Sequence, residues 1–323
     1  MGENKISGGN DIVKDIELWQ GDCLELMKDI PDNSIDLIVT SPPYFNAREY
    51  SNWESLESYL KDMKDVLIES KRVLKNYSMI VLNVGDIICS PDGRKSTKRK
   101  YPLGAYFTMI FEELGMTFID DIIWDKGEVQ SKRNFVGEPY PFQKYPINCY
   151  EHILVFRKLE KDIIKPKCPV CNENIAVSNG INNNTYTYEC KNPNCRKSKH
   201  GRGVRYSTRQ VQKIEKQKEE NKIDEDLLKM FRRDIVKLNP VIKINSKGEN
   251  VVNHTAPFPI TIPEYAIKNF SGVGDIVLDQ FMGSGTTGVA CKRLNRNFIG
   301  IELDETYFNL AKERIESAGE INE

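Results

Sequence analysis

Five consecutive residues in the N-terminal part of the chain carry groups that would grip a flat, nitrogen-bearing ring. Residues 40–44 read Thr-Ser-Pro-Pro-Tyr. They offer the hydroxyl of Ser41, the main-chain carbonyl of Pro42 and the aromatic face of Tyr44. Because two consecutive prolines lack N–H groups and fix φ, the segment is predicted to be a rigid turn that ends a strand. The alternative is a turn of the same shape whose tyrosine belongs to the core.

A second candidate site lies near the C-terminal end, where an apolar strand is followed by a glycine turn and a helix. Gly283 and Gly285 would let the backbone turn tightly and approach a ligand closely. Glu302 ends the next predicted strand, 23 residues after Asp279, about where a ribose-binding acid sits in nucleotide-binding α/β folds. No lysine follows the glycines, which excludes a phosphate-binding P-loop, and the third glycine of the dinucleotide fingerprint is missing. An adenosine ligand without a pyrophosphate fits, with S-adenosylmethionine as the obvious one, and a turn without a ligand is the alternative.

Four of the eight cysteines are clustered with the spacing of a zinc site. Cys168 and Cys171 form a C-x2-C pair, and Cys190 and Cys195 form a C-x4-C pair. Four thiolates suit tetrahedral Zn²⁺, and a closed set of four sulfurs leaves no position for catalysis. We therefore predict a structural zinc ribbon, with a reduced, metal-free loop as the alternative. The other four cysteines are scattered, which favours a reducing, cytoplasmic setting over a disulfide framework.

A basic stretch follows the cysteines. Residues 191–213 contain eight lysines and arginines and no acidic residue. Such a run can be a plain solvated surface, or it can contact the phosphates or bases of a nucleic acid. Arg202, Arg205 and Arg209 are the candidates for such contact.

The elements that must position these groups follow an alternating β–α pattern. Strands are predicted at residues 16–20, 35–39, 79–84, 117–124, 151–156, 275–279 and 298–301, with helices between most of them. This pattern favours an α/β fold with a doubly wound, mixed sheet. Ligands bind beyond the carboxyl ends of the strands in such sheets, so residues 40–44 and 283–285 are expected to meet at one sheet edge.

The composition changes between residues 158 and 250, where the cysteines, the basic stretch and a charged helix around residues 211–222 interrupt the β–α pattern. We interpret this region as an inserted domain. The predicted division is a catalytic half at 1–158, an insert at 159–250 and a cofactor-binding half at 251–323. The net charge of −1 excludes a polycation, and no apolar run is long enough for a membrane helix.

Three segments, in their order along the chain, resemble the amino-group DNA methyltransferases of the β arrangement. They are Thr-Ser-Pro-Pro-Tyr at 40–44, Asp-x-Phe-x-Gly-Ser-Gly-Thr-Thr at 279–287 and Ile-Gly-Ile-Glu-Leu-Asp at 299–304. In that family the catalytic half precedes the cofactor half, and the target-recognition region lies between them. The resemblance covers roughly residues 15–158 and 253–316. It implies a permuted, Rossmann-like methyltransferase fold whose recognition insert carries the zinc ribbon. Gln280 departs from the family pattern, which usually has proline there.

The resemblance also implies the chemistry. These enzymes transfer a methyl group from S-adenosylmethionine to an exocyclic amino group of a base that has left the duplex. Hydrogen bonds to Ser41 and to the Pro42 carbonyl would localise the lone pair of that amine, and Tyr44 would stack on the ring. The catalytic candidates are thus Ser41, Pro42, Pro43 and Tyr44. The cofactor candidates carried over are Asp22, Thr40, His254, Pro257, Phe258, Asp279, Phe281, Gly283, Ser284, Gly285, Thr286, Thr287 and Glu302.

The acceptor base remains open at this point. Within the family, serine before Pro-Pro-Tyr resembles the cytosine-N4 enzymes, whereas aspartate there is commoner in adenine-N6 enzymes, so cytosine is favoured over adenine. An RNA or protein amide substrate fits the permuted order less well. A protein of another class, a non-catalytic, zinc-containing DNA-binding protein, is the further alternative. The expected partners are double-stranded DNA and a cognate restriction endonuclease, with no membrane, and the expected state is a monomer or homodimer.

Overall fold

The computed structural model describes residues 16–46, 53–89, 99–127, 149–160, 165–182, 185–195, 201–216, 218–241 and 258–319. Its first half contains β1 (Ile16–Gln20), α1 (Cys23–Leu26), β2 (Ile35–Thr40), α2 (Leu56–Val73), β3 (Leu74–Val84), β4 (Ile87–Cys89), β5 (Arg99–Tyr101), α3 (Leu103–Glu113), β6 (Thr117–Asp125) and β7 (Tyr150–Arg157). Its middle part contains β8 (Ala176–Asn182), β9 (Thr185–Cys190), β10 (Arg205–Ser207), α4 (Thr208–Lys216), α5 (Glu225–Met230) and β11 (Ile235–Lys237). Its last part contains α6 (Thr261–Phe270), β12 (Ile276–Asp279), α7 (Thr286–Arg293), β13 (Asn297–Glu302) and α8 (Glu305–Ser317).

Eight of the strands form one large mixed sheet in the order β1-β13-β12-β2-β3-β7-β6-β11. Only β7 runs antiparallel to its neighbours within this sheet. The carboxyl ends of seven strands and the amino end of β7 therefore share one edge, which we call the cleft edge. The opposite edge is the distal edge. The predicted mixed α/β sheet is confirmed.

Helices cover both faces of this sheet because its central strands are apolar on both sides. All six residues of β2 are buried, and Ile38 faces the core under α2 and α3 while Leu37 and Val39 face the core under α6, α7 and α8. Burial on both faces is the reason that β2 reads as a continuous apolar run rather than as an alternating one. Because β2 is held on both faces, the direction in which the turn after Thr40 leaves the sheet is fixed.

Residues 165–182, 185–195 and 201–216 form a small unit of their own, which we call the cysteine module. Strands β10, β9 and β8 pair antiparallel in that order, and α4 follows. The predicted helix at 211–222 begins earlier and ends at Lys216, whose carbonyl accepts a hydrogen bond from the side chain of Asn221 (3.2 Å). Residues Glu219–Asn221 form a short 3₁₀ turn instead.

The cysteine module packs at the distal edge. The amide of Tyr186 donates to the hydroxyl of Tyr77, near the start of β3 (2.9 Å), and Lys216 pairs with Asp275, just before β12 (2.6 Å). The first anchor point lies near the start of its strand and the second just before its strand, and the far ends of both strands belong to the cleft edge. Tyr77 lies seven residues before Val84, which corresponds to roughly 23 Å along the strand. The module and the cleft edge are thus separated by the full height of the sheet.

The chain returns to the large sheet before residue 250. Strand β11 pairs parallel with β6, and the side chain of Trp124 donates to the carbonyl of Leu238 (2.8 Å). The predicted insert of residues 159–250 therefore contains one strand of the large sheet. A strand of three residues gives no periodic signal, which explains why the sequence pattern missed it. Among the described residues, no helix combines the length and the apolar character needed to cross a membrane.

Candidate functional site

The two predicted site segments line one cleft at the cleft edge. The cleft has a volume of about 1080 Å³ and reaches from the turn after β2 to the turn after β12. Ser41 and Tyr44 lie on its wall, and so do Phe281 and Gly283. The turns meet because β2 and β12 are neighbouring parallel strands in register at Leu37 and Val277.

A buried carboxylate joins the two turns directly. Asp279, at the end of β12, accepts hydrogen bonds from the hydroxyl of Thr40 (2.8 Å) at the end of β2 and from that of Thr287 (2.7 Å) in α7. It also accepts the amide of Phe281 (3.2 Å). Burial raises the pKa of Asp279 to about 6, although these hydrogen bonds oppose the shift. Asp279 therefore fixes the geometry of both turns.

Four residues predicted to bind the cofactor lie behind the cleft wall rather than on it. Thr40, Asp279 and Thr287 are buried and bonded to one another. Gly285 has a positive φ of 78°, and a Cβ there would lie 2.9 Å from the Cβ of Ala311. Its role in this structure is to let α7 begin tightly against α8.

Gly283 and Glu302 form the part of the cleft best suited to a ribose. The amide of Gly283 donates to one carboxylate oxygen of Glu302 (2.7 Å), and the amide of Asp304 donates to the other (2.9 Å). Burial raises the pKa of Glu302. Each oxygen keeps a further lone pair that can accept from a ligand hydroxyl.

The remaining cofactor candidates that the structure describes also line the cleft. They are Asp22, Phe258, Phe281, Ser284 and Thr286. Asp22 caps α1, accepting from the amide of Leu24 (2.8 Å). His254 and Pro257 lie outside the described residues.

The charge of the cleft wall is strongly one-sided. Seven acidic residues line it: Asp22, Asp62, Asp65, Glu151, Glu302, Asp304 and Glu305. Among the described lining residues, Lys126 is the only cation. An acidic cleft attracts a cationic ligand. A sulfonium compound carries such a charge, whereas a nucleoside di- or triphosphate does not.

The four catalytic candidates form a continuous stretch of the wall. Ser41, Pro42, Pro43 and Tyr44 all line the cleft. The carbonyl of Pro43 accepts from the hydroxyl of Tyr59 (2.9 Å), and the Tyr44 hydroxyl donates to Glu151 (3.0 Å). Burial, followed by the nearby charge of Glu151, raises the pKa of Tyr44 well above its usual value, so the phenol stays neutral.

Three further residues belong to this wall, although no role is predicted for them from the sequence. Glu151 is the second residue of β7, and Lys126 follows β6 and forms an ion pair with Glu151. The Lys126 ammonium lies 5.1 Å from the centre of the Trp124 ring. The sequence places all three residues near the ends of predicted strands, which is where a site is expected. Glu151 is near the amino end of its strand, however, and that end lies at the cleft edge only because β7 runs antiparallel to its neighbours.

The four predicted zinc ligands converge. The sulfurs of Cys168, Cys171, Cys190 and Cys195 all lie within 4.8 Å of one another. Two of the separations are 3.8 Å (Cys168 to Cys195) and 3.7 Å (Cys171 to Cys190). A disulfide needs about 2.05 Å. A tetrahedral zinc with Zn–S bonds of about 2.3 Å puts its sulfurs about 3.8 Å apart.

The three predicted DNA contacts are exposed on the cysteine module. Arg202, Arg205 and Arg209 lie at or after the end of its cysteine cluster, and Arg205 is 3.8 Å from Glu189. Because the module packs at the distal edge, these arginines do not line the cleft. The structure does not bring them together with Ser41 and Tyr44.

Comparison with known proteins identifies the family. A family model described as DNA methylase, for N6 and N4 methyltransferases, matches residues 35–313. The Type II β methyltransferase M.BslI of Bacillus sp. (strain NEB-606) is 34% identical over 93% of this chain. The chain spans only 27% of the length of that relative. The Type II methyltransferase M.SmaI of Serratia marcescens is 26% identical over 94% of this chain and 91% of its own.

Solved structures share the fold. A candidate DNA modification methylase from Thermus thermophilus, solved with S-adenosyl-L-methionine, is 26% identical with a TM-score of 0.63, over 94% of both chains. The PvuII cytosine-N4 DNA methyltransferase, at 19% identity and a TM-score of 0.59 over 94% of this chain and 86% of its own, shows the same fold. With the family model matching most of its length, the chain belongs to the N6/N4 DNA methylase family, the DNA amino-methyltransferases.

Proposed function

We propose that this protein transfers a methyl group from S-adenosylmethionine to the exocyclic N4 of a cytosine that has been flipped out of double-stranded DNA. The observation that carries the proposal is the shared cleft in which the Ser41–Tyr44 turn faces the Gly283 turn. An amine held by the first turn would lie opposite a methyl donor held by the second. In methyl transfer the nitrogen would form a bond to the methyl carbon as the carbon–sulfur bond of the donor breaks, and it would then give up one of its two protons by way of the Ser41 hydroxyl. The step needs alignment and a suitable electrostatic field, and it forms no covalent intermediate with the protein.

The cleft fits S-adenosylmethionine by the chemistry of its donors. Phe281 offers an apolar face for the adenine ring, and Glu302 offers carboxylate oxygens for the ribose. The acidic wall favours the positive charge of the sulfonium, which the donor loses when its methyl group leaves. When bound, this cofactor supplies an electrophilic methyl group. Asp22, Gly283 and Ser284 are the other described lining residues that we assign to it.

The protein's own residues hold the acceptor. The Pro42 carbonyl accepts one hydrogen bond from the amino group, and the Ser41 hydroxyl accepts the other, which localises the nitrogen lone pair. Tyr44 provides the stacking face, and its neutral phenol places no charge against the base.

Cytosine is proposed over adenine on the strength of Ser41. A serine hydroxyl before Pro-Pro-Tyr resembles the cytosine-N4 enzymes, and no carboxylate occupies that position of the turn. Adenine-N6 methylation is the alternative outcome of the test below.

The cysteine module is proposed to hold one structural Zn²⁺ through Cys168, Cys171, Cys190 and Cys195. Support comes from the sulfur separations of 3.7 and 3.8 Å, the values that tetrahedral zinc requires. For Arg202, Arg205 and Arg209 we propose contact with DNA phosphates. The placement of the module restricts such contacts to DNA that flanks the flipped base, since the sheet separates the two regions.

We keep the proposed division into a catalytic half at 1–158, an insert at 159–250 and a cofactor half at 251–323. We also propose that the protein works beside a cognate restriction endonuclease, because the relatives are Type II methyltransferases. A monomer or homodimer is the proposed state.

The deciding experiment is methylation of unmodified DNA by the purified protein with labelled S-adenosylmethionine, followed by mass analysis of the nucleosides. The expected product is N4-methyldeoxycytidine, and mapping of the modified positions gives the recognition sequence. N6-methyldeoxyadenosine would overturn the choice of base and keep the reaction class. No methylated base, together with no binding of S-adenosylmethionine, would overturn the function itself. The matched control is Ser41→Ala, which should bind the cofactor and lose turnover.

A further inference from the structure

The cleft wall contains an ion pair between Glu151 and Lys126. Side chains of both residues are mostly buried, with 12% and 23% exposed, and they line the cleft beside Tyr44. Taking two charges out of water costs free energy, so a buried pair is weak evidence for stability. Such pairs are better understood as devices that fix one arrangement of the groups around them.

The group that this pair fixes is the phenol of Tyr44. One oxygen of Glu151 accepts from the Tyr44 hydroxyl at 3.0 Å, while the other is bonded to Lys126. The hydroxyl lies at the tip of the ring, so anchoring it restricts rotation of the ring about both side-chain torsions. Lys126 in turn lies 5.1 Å from the centre of the Trp124 ring, and Trp124 is itself anchored to the carbonyl of Leu238.

The backbone also leaves room for Glu151 in this position. A Cβ on Gly85, which follows β3, would lie only 2.9 Å from the Cγ of Glu151. Glycine at 85 therefore permits the close approach of the Glu151 side chain. The position of the carboxylate is set from three sides, by Gly85, by Lys126 and by the Tyr44 hydroxyl.

We propose that Glu151, held by Lys126, is a positioning residue that sets the plane of the Tyr44 ring against the target base. The inference rests on the proposed function, since it concerns how the acceptor ring is held. A stacked base takes its orientation from the ring beneath it, and small errors of orientation cost rate. Glu151 thus controls the angle at which the exocyclic amine faces the donor, and it does so through the Tyr44 ring.

The test is a cycle of Tyr44→Phe, Glu151→Ala and the double variant. Three quantities are measured: the single-turnover methylation rate, the affinity for S-adenosylmethionine, and the fluorescence of pyrrolocytosine placed at the mapped target position of a duplex. Each single variant is expected to lose about tenfold in rate, the size of one buried hydrogen bond, and to change the fluorescence of the flipped base. Cofactor affinity should stay within about twofold. Because both changes break the same contact, the double variant should lose little more than either single one.

Three further variants sharpen the result. Glu151→Gln keeps an oxygen that can accept from Tyr44 but loses the bond to Lys126, and should recover part of the rate. Gly85→Ala keeps every charged group but crowds Glu151, and should mimic Glu151→Ala in rate and fluorescence. The control is Glu113→Ala, which breaks the exposed Lys64–Glu113 pair and should change nothing.

Two results would overturn the inference and leave the proposed function standing. One is a double variant whose loss is the full product of the single losses, about a hundredfold. The other is a Glu151→Ala protein with wild-type rate and fluorescence. Failure of the proposed function looks different: a wild-type protein that neither binds S-adenosylmethionine nor methylates DNA overturns both.

Discussion

At the cleft edge the functional side chains rest on a large apolar core, whereas the cysteine module at the distal edge has almost no core of its own. Strands β2, β12 and β13 are buried on both faces, and these strands fix the positions of the turns that follow them. The module has six buried core residues, of which three are the cysteines Cys168, Cys190 and Cys195. The two regions must therefore be held together by different forces.

The regions also differ in charge. Among the residues that the structure describes, the cleft wall carries seven acids and one lysine, while the module presents Arg202, Arg205 and Arg209 to solvent. The first arrangement suits a cationic small molecule, and the second suits a polyanion. A chain that is to bind both kinds of partner can therefore keep its acidic and basic surfaces apart, on opposite edges of one sheet.

Removing the proposed zinc should produce the largest effect, and the effect should be confined to the cysteine module. Cysteines released from a metal take up protons and are no longer held together, which leaves the module without most of its core, because structural zinc sites contribute about 10–16 kcal/mol in small domains. Cys168→Ser and Cys190→Ser, or a strong chelator, should remove about one zinc per chain and increase hydrogen exchange across residues 185–195. Affinity for S-adenosylmethionine should stay within about twofold by calorimetry.

The control for that prediction is Cys291→Ser, because Cys291 is buried in α7 far from the tetrad. It should keep its zinc. If the zinc-free protein lost cofactor affinity as strongly as it lost structure in the module, the two regions would not be independent. The module would then support the cleft through the sheet.

The second prediction concerns pH and the buried Asp279 of the cleft edge. Its pKa is raised from 3.8 to about 6 in the folded protein, so the folded state binds more protons than the unfolded state between these values. Stability from this group is therefore present below about pH 4 and is lost as the pH rises through 6. The loss amounts to about 3 kcal/mol, from 1.36 kcal/mol per pKa unit.

Comparison with Asp279→Asn isolates that contribution, because every other titrating group is common to both proteins. The free energy of unfolding in denaturant should fall, relative to the variant, as the pH rises from 4 to 6.5. If the difference in unfolding free energy between wild type and Asp279→Asn stayed constant with pH, the pKa of Asp279 would be the same in the folded and unfolded states, and the prediction would be wrong.

Seven of the eight described strands of the large sheet could be predicted from the sequence, because they are short, largely apolar runs between turn signals. The runs at residues 16–20 and 35–39 predict strands, and they belong to β1 and β2. The convergence of the Pro-Pro turn with the glycine turn follows from parallel pairing alone. The spacing of Cys168 and its three partners predicts that they cluster, and they do.

The sequence could not show which side chains contact each other across neighbouring strands, because no local pattern encodes such contacts. Asp279 has the position of a ligand-binding acid at a strand end, but it turns inward because Thr40 and Thr287 offer hydroxyls behind the wall. Glu151 reaches Tyr44 only because β7 runs antiparallel, with its amino end at the cleft edge. The antiparallel direction of β7 also explains the location of the module. The carboxyl end of β7 lies at the distal edge, and the module follows it in the chain.

The third prediction tests the tie between the two turns. Thr40→Val keeps the shape of the side chain but removes one of the hydrogen bonds to the buried carboxylate of Asp279. The expected loss is about 1–2 kcal/mol of unfolding free energy, with weaker cofactor binding. The matched change in the module is Thr187→Val, whose hydroxyl donates to Gly180 at an exposed position. It should cost less than about 0.5 kcal/mol.

The smallest expected effect belongs to the arginines of the module. Replacing Arg202, Arg205 and Arg209 with alanine should weaken binding to a long duplex and reduce the slope of log affinity against log salt by about 0.9 for each phosphate that is no longer neutralised. A duplex just long enough to fill the cleft should bind nearly as before, because the sheet separates it from these residues. Replacement with lysine keeps the charge and should preserve the salt slope. Equal losses on short and long duplexes would contradict the separation of the two edges, because they would place the arginines beside the flipped base.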